Sequence, residues 1–262
     1  MKNYKIDKNA KFKRKKKLIL TLILMSFFLS NIVFSKETKK SDKVDTGMGV
    51  NQGRELQPFD AINISGVGNL YITQSTTQGL SINADETILP LIKVSVVNKV
   101  LYIALQNASD HAEAKINYHL NIKEIKEINS HGNLNIFIQD GFNAQVLDLV
   151  ISNLGEVYIK KLNVGKLNVK INSGSTVEAS GVADQQSISI NGAGVFNGSK
   201  LSGQLVAVDI VETGIVKINA SNNLTTTIAG EGTVQYCGDP KITKQAFSKA
   251  AIITKLPEQE CK

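Results

Sequence analysis

Two acidic side chains, Glu212 and Glu231, stand 19 residues apart in a chain of 262. Paired carboxylates some 5–10 Å apart across one cleft are what glycoside hydrolysis requires, so the pair is the first chemistry to weigh. Exposed turn residues are the plainer reading of both. Three histidines, His111, His119 and His131, could share a metal ion, although solvated surface imidazoles have the same appearance. Ser173, in "NSGST", lacks the strand–turn–helix setting that exposes a nucleophilic hydroxyl. The stretch "INGAGVFNG" (190–198) imitates a phosphate-cradling loop through Gly192 and Gly194. A dinucleotide loop opens a helix and meets an acid about 20 residues on, and neither follows here. Calcium-binding nonapeptide repeats need an Asp that "GAGVFNGSK" and "AGEGTVQYCG" lack. No catalytic residue, metal or cofactor is therefore expected.

The net charge of +7 does not point to nucleic acid. Nine of the 30 Lys and Arg fall in residues 1–35 against one acid, Asp7, leaving 21 bases and 22 acids in the remainder. A near-neutral body has no electrostatic footprint for DNA or RNA. The basic "KFKRKKK" (11–17) runs into the apolar "LILTLILMSFFLSNIVF" (18–34), with Val33 and Ser35 as the small or aliphatic residues before a polar stretch. That is the three-part logic of a secretory signal peptide cleaved between Ser35 and Lys36. An uncleaved anchor is the alternative, since the apolar run is only slightly short of a bilayer span; it would be the one membrane contact. Export in turn permits a disulfide between Cys237 and Cys261, the only two cysteines, with two free thiols as the alternative.

Residues 36–57 are polar and read as a flexible linker. From Phe59 onward, short alternating segments rich in Ile, Val and Leu are broken by Gly, Asn and Ser, which is a β signature. The segments repeat. Aligned on Gly68, Gly132, Gly155, Ser175, Gly194, Gly214 and Gly232, the steps from Gly132 on are 23, 20, 19, 20 and 18 residues. Four positions earlier stand Ile64, Ile128, Ile151, Ile171, Ile190, Ile210 and Ile228, and two positions later an apolar residue every time. Such a unit cannot bury its own apolar face, but stacked units put Ile on Ile in continuous ladders. The expected fold is an all-β parallel β-helix or β-solenoid with coils of about 20 residues; an antiparallel sandwich, which also alternates, would not need a constant step. Outward at the third position after the small residue lie Tyr71, Asn135, Tyr158, Asn197 and Gln235, a face suited to a surface ligand, glycan or protein. Residues 80–123 read as strands around a short helical turn near Glu86–Leu91 that cap the first coil. "KQAFSKAAII" (244–253) reads as a short amphipathic helix closing the last.

The segments "FDAINISGVGNLYITQ" (59–74), "INADETILPLIKVSVVNKVLYI" (82–103), "INSGSTVEASG" (171–181), "INGAGVFNGS" (190–199) and "IAGEGTVQYCGDP" (228–240) resemble the head GIN domain family of adhesin-like proteins. The resemblance covers residues 57–240 and implies a right-handed β-helix in an exported bacterial protein, periplasmic, secreted or at the cell surface. It carries no agreed catalytic residues. The chain departs from the family's autotransporter label in showing no C-terminal β-barrel, so self-export is not expected. It also departs in residues 241–262, where a Lys-containing tail with a cysteine replaces a Gly-rich coil. The resulting expectation is four segments: signal peptide 1–35, linker 36–57, β-helix 58–240 and C-terminal tail or cap 241–262. The expected function is that of a non-enzymatic envelope interaction module. The alternatives are a polysaccharide-active enzyme on the same scaffold and a structural protein that self-associates end to end as a homo-oligomer. Clustered acids in a groove would mark the enzyme, a flat aromatic–amide face the binder, and a bare terminal coil the assembler.

Overall fold

The computed structural model describes residues 49–246 and 248–261. The expected signal peptide, its expected Ser35–Lys36 cleavage point and linker residues 36–48 lie outside the described residues. Among the described residues, fifteen strands form one sheet that coils into a β-solenoid of about six turns. They are β1 (Val50–Arg54), β2 (Ala61–Gln74), β3 (Gly79–Ala84), β4 (Ile92–Val97), β5 (Val100–Leu105), β6 (Asn117–Ile122), β7 (Glu127–Ile138), β8 (Phe142–Asn153), β9 (Glu156–Ile171), β10 (Thr176–Ile190), β11 (Val195–Ile210), β12 (Ile215–Ile228), β13 (Thr233–Cys237), β14 (Lys241–Ala246) and β15 (Ile252–Lys255). Period-2 alternation of aliphatic and polar residues puts one face of each strand inside, as in the burial of Val177, Ala179, Ala183, Ile188 and Ile190 along β10. Neighbours from β7 to β13 follow one another in chain order and pair in parallel.

The ladders are those expected, with one shift. Ile151, Ile171, Ile190, Ile210 and Ile228 stack in register. Ile64, however, pairs with Ser130, and Ser130 with Ile151. The second coil is therefore displaced by two residues: Gly132 lies against Gly66, and Leu134 occupies the place given to Gly132. Side-chain alternation is unchanged by a two-residue slip, so hydrophobic pattern alone does not detect it. The recurring small residue serves close approach. A Cβ on Gly194 would stand 2.6 Å from the Ile171 Cγ2 of the coil before, and one on Gly214 would stand 2.7 Å from the Ile190 Cγ2.

The cap is more interleaved than chain order implies. The first half of β2 pairs in parallel with β5 and its second half with β6, while its other edge pairs with β7. The first coil in sequence is thus the second layer of the stack. Beyond it β3 runs antiparallel to β6, β1 antiparallel to β3, and β4 antiparallel to β5. Residues 50–54, placed by sequence in the linker, are the strand β1, because β3 otherwise leaves an unpaired edge. The short helical turn is a 3-10 turn at Leu89–Leu91.

At the C-terminal end the expected helix is absent among the described residues. Lys241–Ala246 pair with β12 and Ile252–Lys255 with β13, both in parallel. Edge strands β12 and β13 offer rows of backbone donors and acceptors, and satisfying them outweighs the helical propensity of "KQAFSKAA". A disulfide joins Cys237 to Cys261 across a Cα–Cα distance of 5.7 Å, and Leu256 of the returning tail is buried, its N–H donating to the Tyr236 carbonyl.

Candidate functional site

The two-residue shift rewrites the outward column. Parallel pairing aligns His119 with Tyr71, Tyr71 with Phe137, Phe137 with Tyr158, then Glu178, Asn197, Lys217 and Gln235. Strand spacing of about 4.8 Å is also ring-stacking distance, so four rings on four adjacent strands form one pile. Centroids are 4.9 Å apart for His119 and Tyr71, 5.0 Å for Tyr71 and Phe137, and 5.6 Å for Phe137 and Tyr158, with interplanar angles of 9–15°. Tyr71, Tyr158, Asn197 and Gln235 therefore share the expected column, and Asn135 does not. Its place belongs to Phe137, which the sequence reading passed over. The signal was available, since moving the second unit by two residues reduces its step from 23 to 21, in line with the others.

Asn135 belongs to a second column on the same side of the sheet, two residues before the ring column on β6, β2 and β7. There Asn51 pairs with Asn83, Asn83 with Asn117, Asn117 with Asn69, and Asn69 with Asn135. The Nδ2 of Asn135 donates to the Oδ1 of Asn69 at 3.0 Å, and Asn69 Nδ2 donates to Asn117 Oδ1 at 3.0 Å. Asn83 Nδ2 donates to Asn51 Oδ1 at 3.1 Å, and the backbone N–H of Glu156 closes the row on Asn135 Oδ1 at 3.0 Å. An amide carries donor and acceptor on one plane, so it can repeat this bond indefinitely along a stack.

Stacking decides what this face can do. Tyr71 and Phe137 have a neighbour over each ring face, so neither offers a face to the apolar side of a sugar. What the surface presents is ring edges, phenol hydroxyls and the free flanks of the amides. Tyr158 ends the pile, and its hydroxyl donates to Glu156 Oε2 at 2.7 Å. That bond, then partial desolvation and the nearby Glu156 and Glu178 charges, raises the Tyr158 pKa above the ordinary phenol value. The phenol stays protonated, a donor rather than a base.

A long parallel solenoid with this repeat is the architecture of a recognised group. The family described as "Putative auto-transporter adhesin, head GIN domain" matches residues 58–240. The chain belongs to the head GIN domain family. Among curated proteins none is similar to it. Several solved structures share the fold. A crystal structure described as a putative adhesin from Bacteroides fragilis superposes with a TM-score of 0.72 at 24% identity, covering 79% of this chain and 96% of that one. A putative adhesin from Parabacteroides merdae gives 0.64 at 21%, covering 81% and 98%. A putative lipid binding protein from Parabacteroides distasonis gives 0.63 at 19%, covering 81% and 98%.

The other residues of this head GIN domain that the sequence offers for chemistry are scattered. Glu212 and Glu231 are exposed on successive turns, where Gly230 packs on the Glu212 carbonyl. Neither lines the cap cleft or the two shallower depressions walled by residues 185–187 with 205–207 and by residues 143–145 with 163–165. His119 is in the ring pile, His131 lies at the bend of β7 opposite Ser65, and His111 lies in the loop before β6. No three metal-ligating side chains gather among the described residues. The Ser173 hydroxyl lies 3.1 Å from that of Ser175 within a turn that leads into β10, a strand.

Proposed function

We propose that the protein is an exported, non-enzymatic interaction module that holds a cell-surface or envelope ligand, glycan or protein, along the face carrying the ring and asparagine rows. The observation that carries this reading is the adjacency of the two rows. Four stacked rings and five register-matched asparagines run side by side across the cap and first coils, outward and fixed by the backbone ladder. A surface preordered in this way binds without the cost of ordering its side chains. Membership of a family described as adhesins supports the same reading. The enzymatic alternative draws no support from Glu212 and Glu231, which are exposed on turns rather than facing across a groove.

The test uses the full chain on immobilised glycans and on isolated bacterial envelopes. Replacing Tyr71→Phe and Tyr158→Phe keeps the ring pile and strips the hydroxyls, while Asn135→Asp places a charge in the amide row. The proposal predicts saturable binding that these changes weaken roughly tenfold, equivalent to one or two lost hydrogen bonds. Binding indifferent to all three, or release of shortened saccharide from the glycan, would contradict it.

A further inference from the structure

The asparagine row has one gap, and the gap opens onto a cleft. Asn83 and Asn117 are register partners on antiparallel strands, yet no hydrogen bond joins their amides, unlike the bonds on either side. The Oδ1 of Asn83 and the Nδ2 of Asn117 are left as an adjacent acceptor and donor. Both residues line a cleft of about 800 Å³ at the N-terminal cap, within the ~300–1,000 Å³ range of small-molecule sites. Its walls are Gly49 before β1, the turn after β3 and the loop between β5 and β6.

The cleft has a defined chemistry. Asp85 contributes a carboxylate whose Oδ1 takes the backbone N–H and hydroxyl of Thr87 at 2.9 and 2.8 Å, leaving its Oδ2 unbonded among the described residues. Those Thr87 bonds hold its pKa below the usual carboxylate value, so it is ionised at neutral pH. Asp110 and Glu113 add two carboxylates against a single Lys115, which disfavours phosphorylated or carboxylated ligands. Ile88, Ala112 and Ala114 supply an apolar wall. Divalent cations lack the clustered ligands they need. Acceptors facing donors around an apolar patch match a saccharide, whose hydroxyls both donate and accept and whose C–H face is apolar.

We infer that the cap cleft is a second binding site, for an uncharged or amino-bearing saccharide unit, with Asn83, Asn117 and Asp85 engaging its hydroxyls. The cleft shares Asn83 and Asn117 with the asparagine row but none of the rings, and the inference does not rest on the ring-face reading.

Saturation-transfer NMR on the full chain tests this with glucose, N-acetylglucosamine and glucosamine as probes, and with glucuronate and glucose 6-phosphate as anionic controls. At least one of the first three is expected to bind with a Kd near or below roughly 10 mM, with the anions weaker. Asn83→Ala is expected to weaken that binding about fivefold, one hydrogen bond's worth, and Glu113→Ala to narrow the discrimination against the anions. Glu113 is exposed on its loop, so this second variant keeps the test decisive should Asn83→Ala fold poorly. Tyr71→Phe with Tyr158→Phe leaves cleft binding intact, so loss of one site is told apart from loss of the other. No saccharide binding in the unaltered protein, binding unaffected by both cleft substitutions, or equal binding of the anions would overturn the inference.

Discussion

Phe137 has a ring on either side, Tyr71 at 5.0 Å and Tyr158 at 5.6 Å, whereas Tyr158 has a ring on one side only. Each stacked pair is worth about 0.5–1.5 kcal/mol beyond burial. Phe137→Leu should therefore destabilise by about 1–3 kcal/mol and Tyr158→Leu by about half as much, read from urea unfolding midpoints. Equal effects would mean that the pile adds nothing. Tyr118 makes a different case. It is fully buried in the ladder between Ile82 and Leu70, its hydroxyl has no partner, and desolvation pushes its pKa well above the ordinary phenol value. A raised folded-state pKa gives stability that is complete below the unfolded value of about 10 and lost as pH climbs beyond it. Tyr118→Phe should flatten that alkaline loss and add roughly 1 kcal/mol at neutral pH by removing an orphaned hydroxyl. Thermal melts from pH 7 to 11 decide it, and a variant with the same alkaline slope as the parent would refute the argument. At this scale the outward positions of Tyr71, Tyr158, Asn197 and Gln235 were legible from alternation. The exchange of Asn135 for Phe137 was not, because alternation is blind to an even-numbered slip.

Ladders are the unit of packing among the elements, and Ser130 interrupts one. It stands between Ile64 and Ile151 with a buried, unpartnered hydroxyl. Ser130→Ala should stabilise the fold by about 1 kcal/mol, because the buried oxygen loses its water without gaining a partner. A destabilised variant would show that the hydroxyl is satisfied within the coil. The last coil is held differently. The Cys237–Cys261 disulfide closes a loop across 24 residues of sequence, worth about 3 kcal/mol in the chain-entropy account. Reduction should speed amide hydrogen exchange in β13 and β15 while leaving β8–β11 protected, since coils in a solenoid contact chiefly their neighbours. Uniform loss of protection would argue for a single cooperative unit. Coil strands could be read from the sequence because each repeats a local pattern. The antiparallel cap and the tail strands could not, because pairing with an exposed edge decides their conformation and local propensity does not. The position of β2 as second layer depends on where β5 and β6 return in space, which no periodicity records.

The described residues form a solenoid with unlike ends. At one end the cap strands enclose the acid-lined cleft; at the other, β14 carries Lys241 and Lys244 and β15 carries Lys255. Lysines on edge strands oppose the addition of a further strand, although Lys255 is ion-paired with Asp239 at 3.3 Å. Between the ends runs the outward face on which the functional reading depends, with its rings piled and its amides bonded. The most direct measurement is the equilibrium binding of the full chain to immobilised surface glycans and envelope preparations, with the same samples assayed for shortened saccharide. The account predicts saturable binding without turnover, weakened roughly tenfold when Tyr71→Phe, Tyr158→Phe and Asn135→Asp are combined in a still-folded protein. Absence of saturable binding, binding indifferent to that face, or the appearance of cleaved product would contradict it.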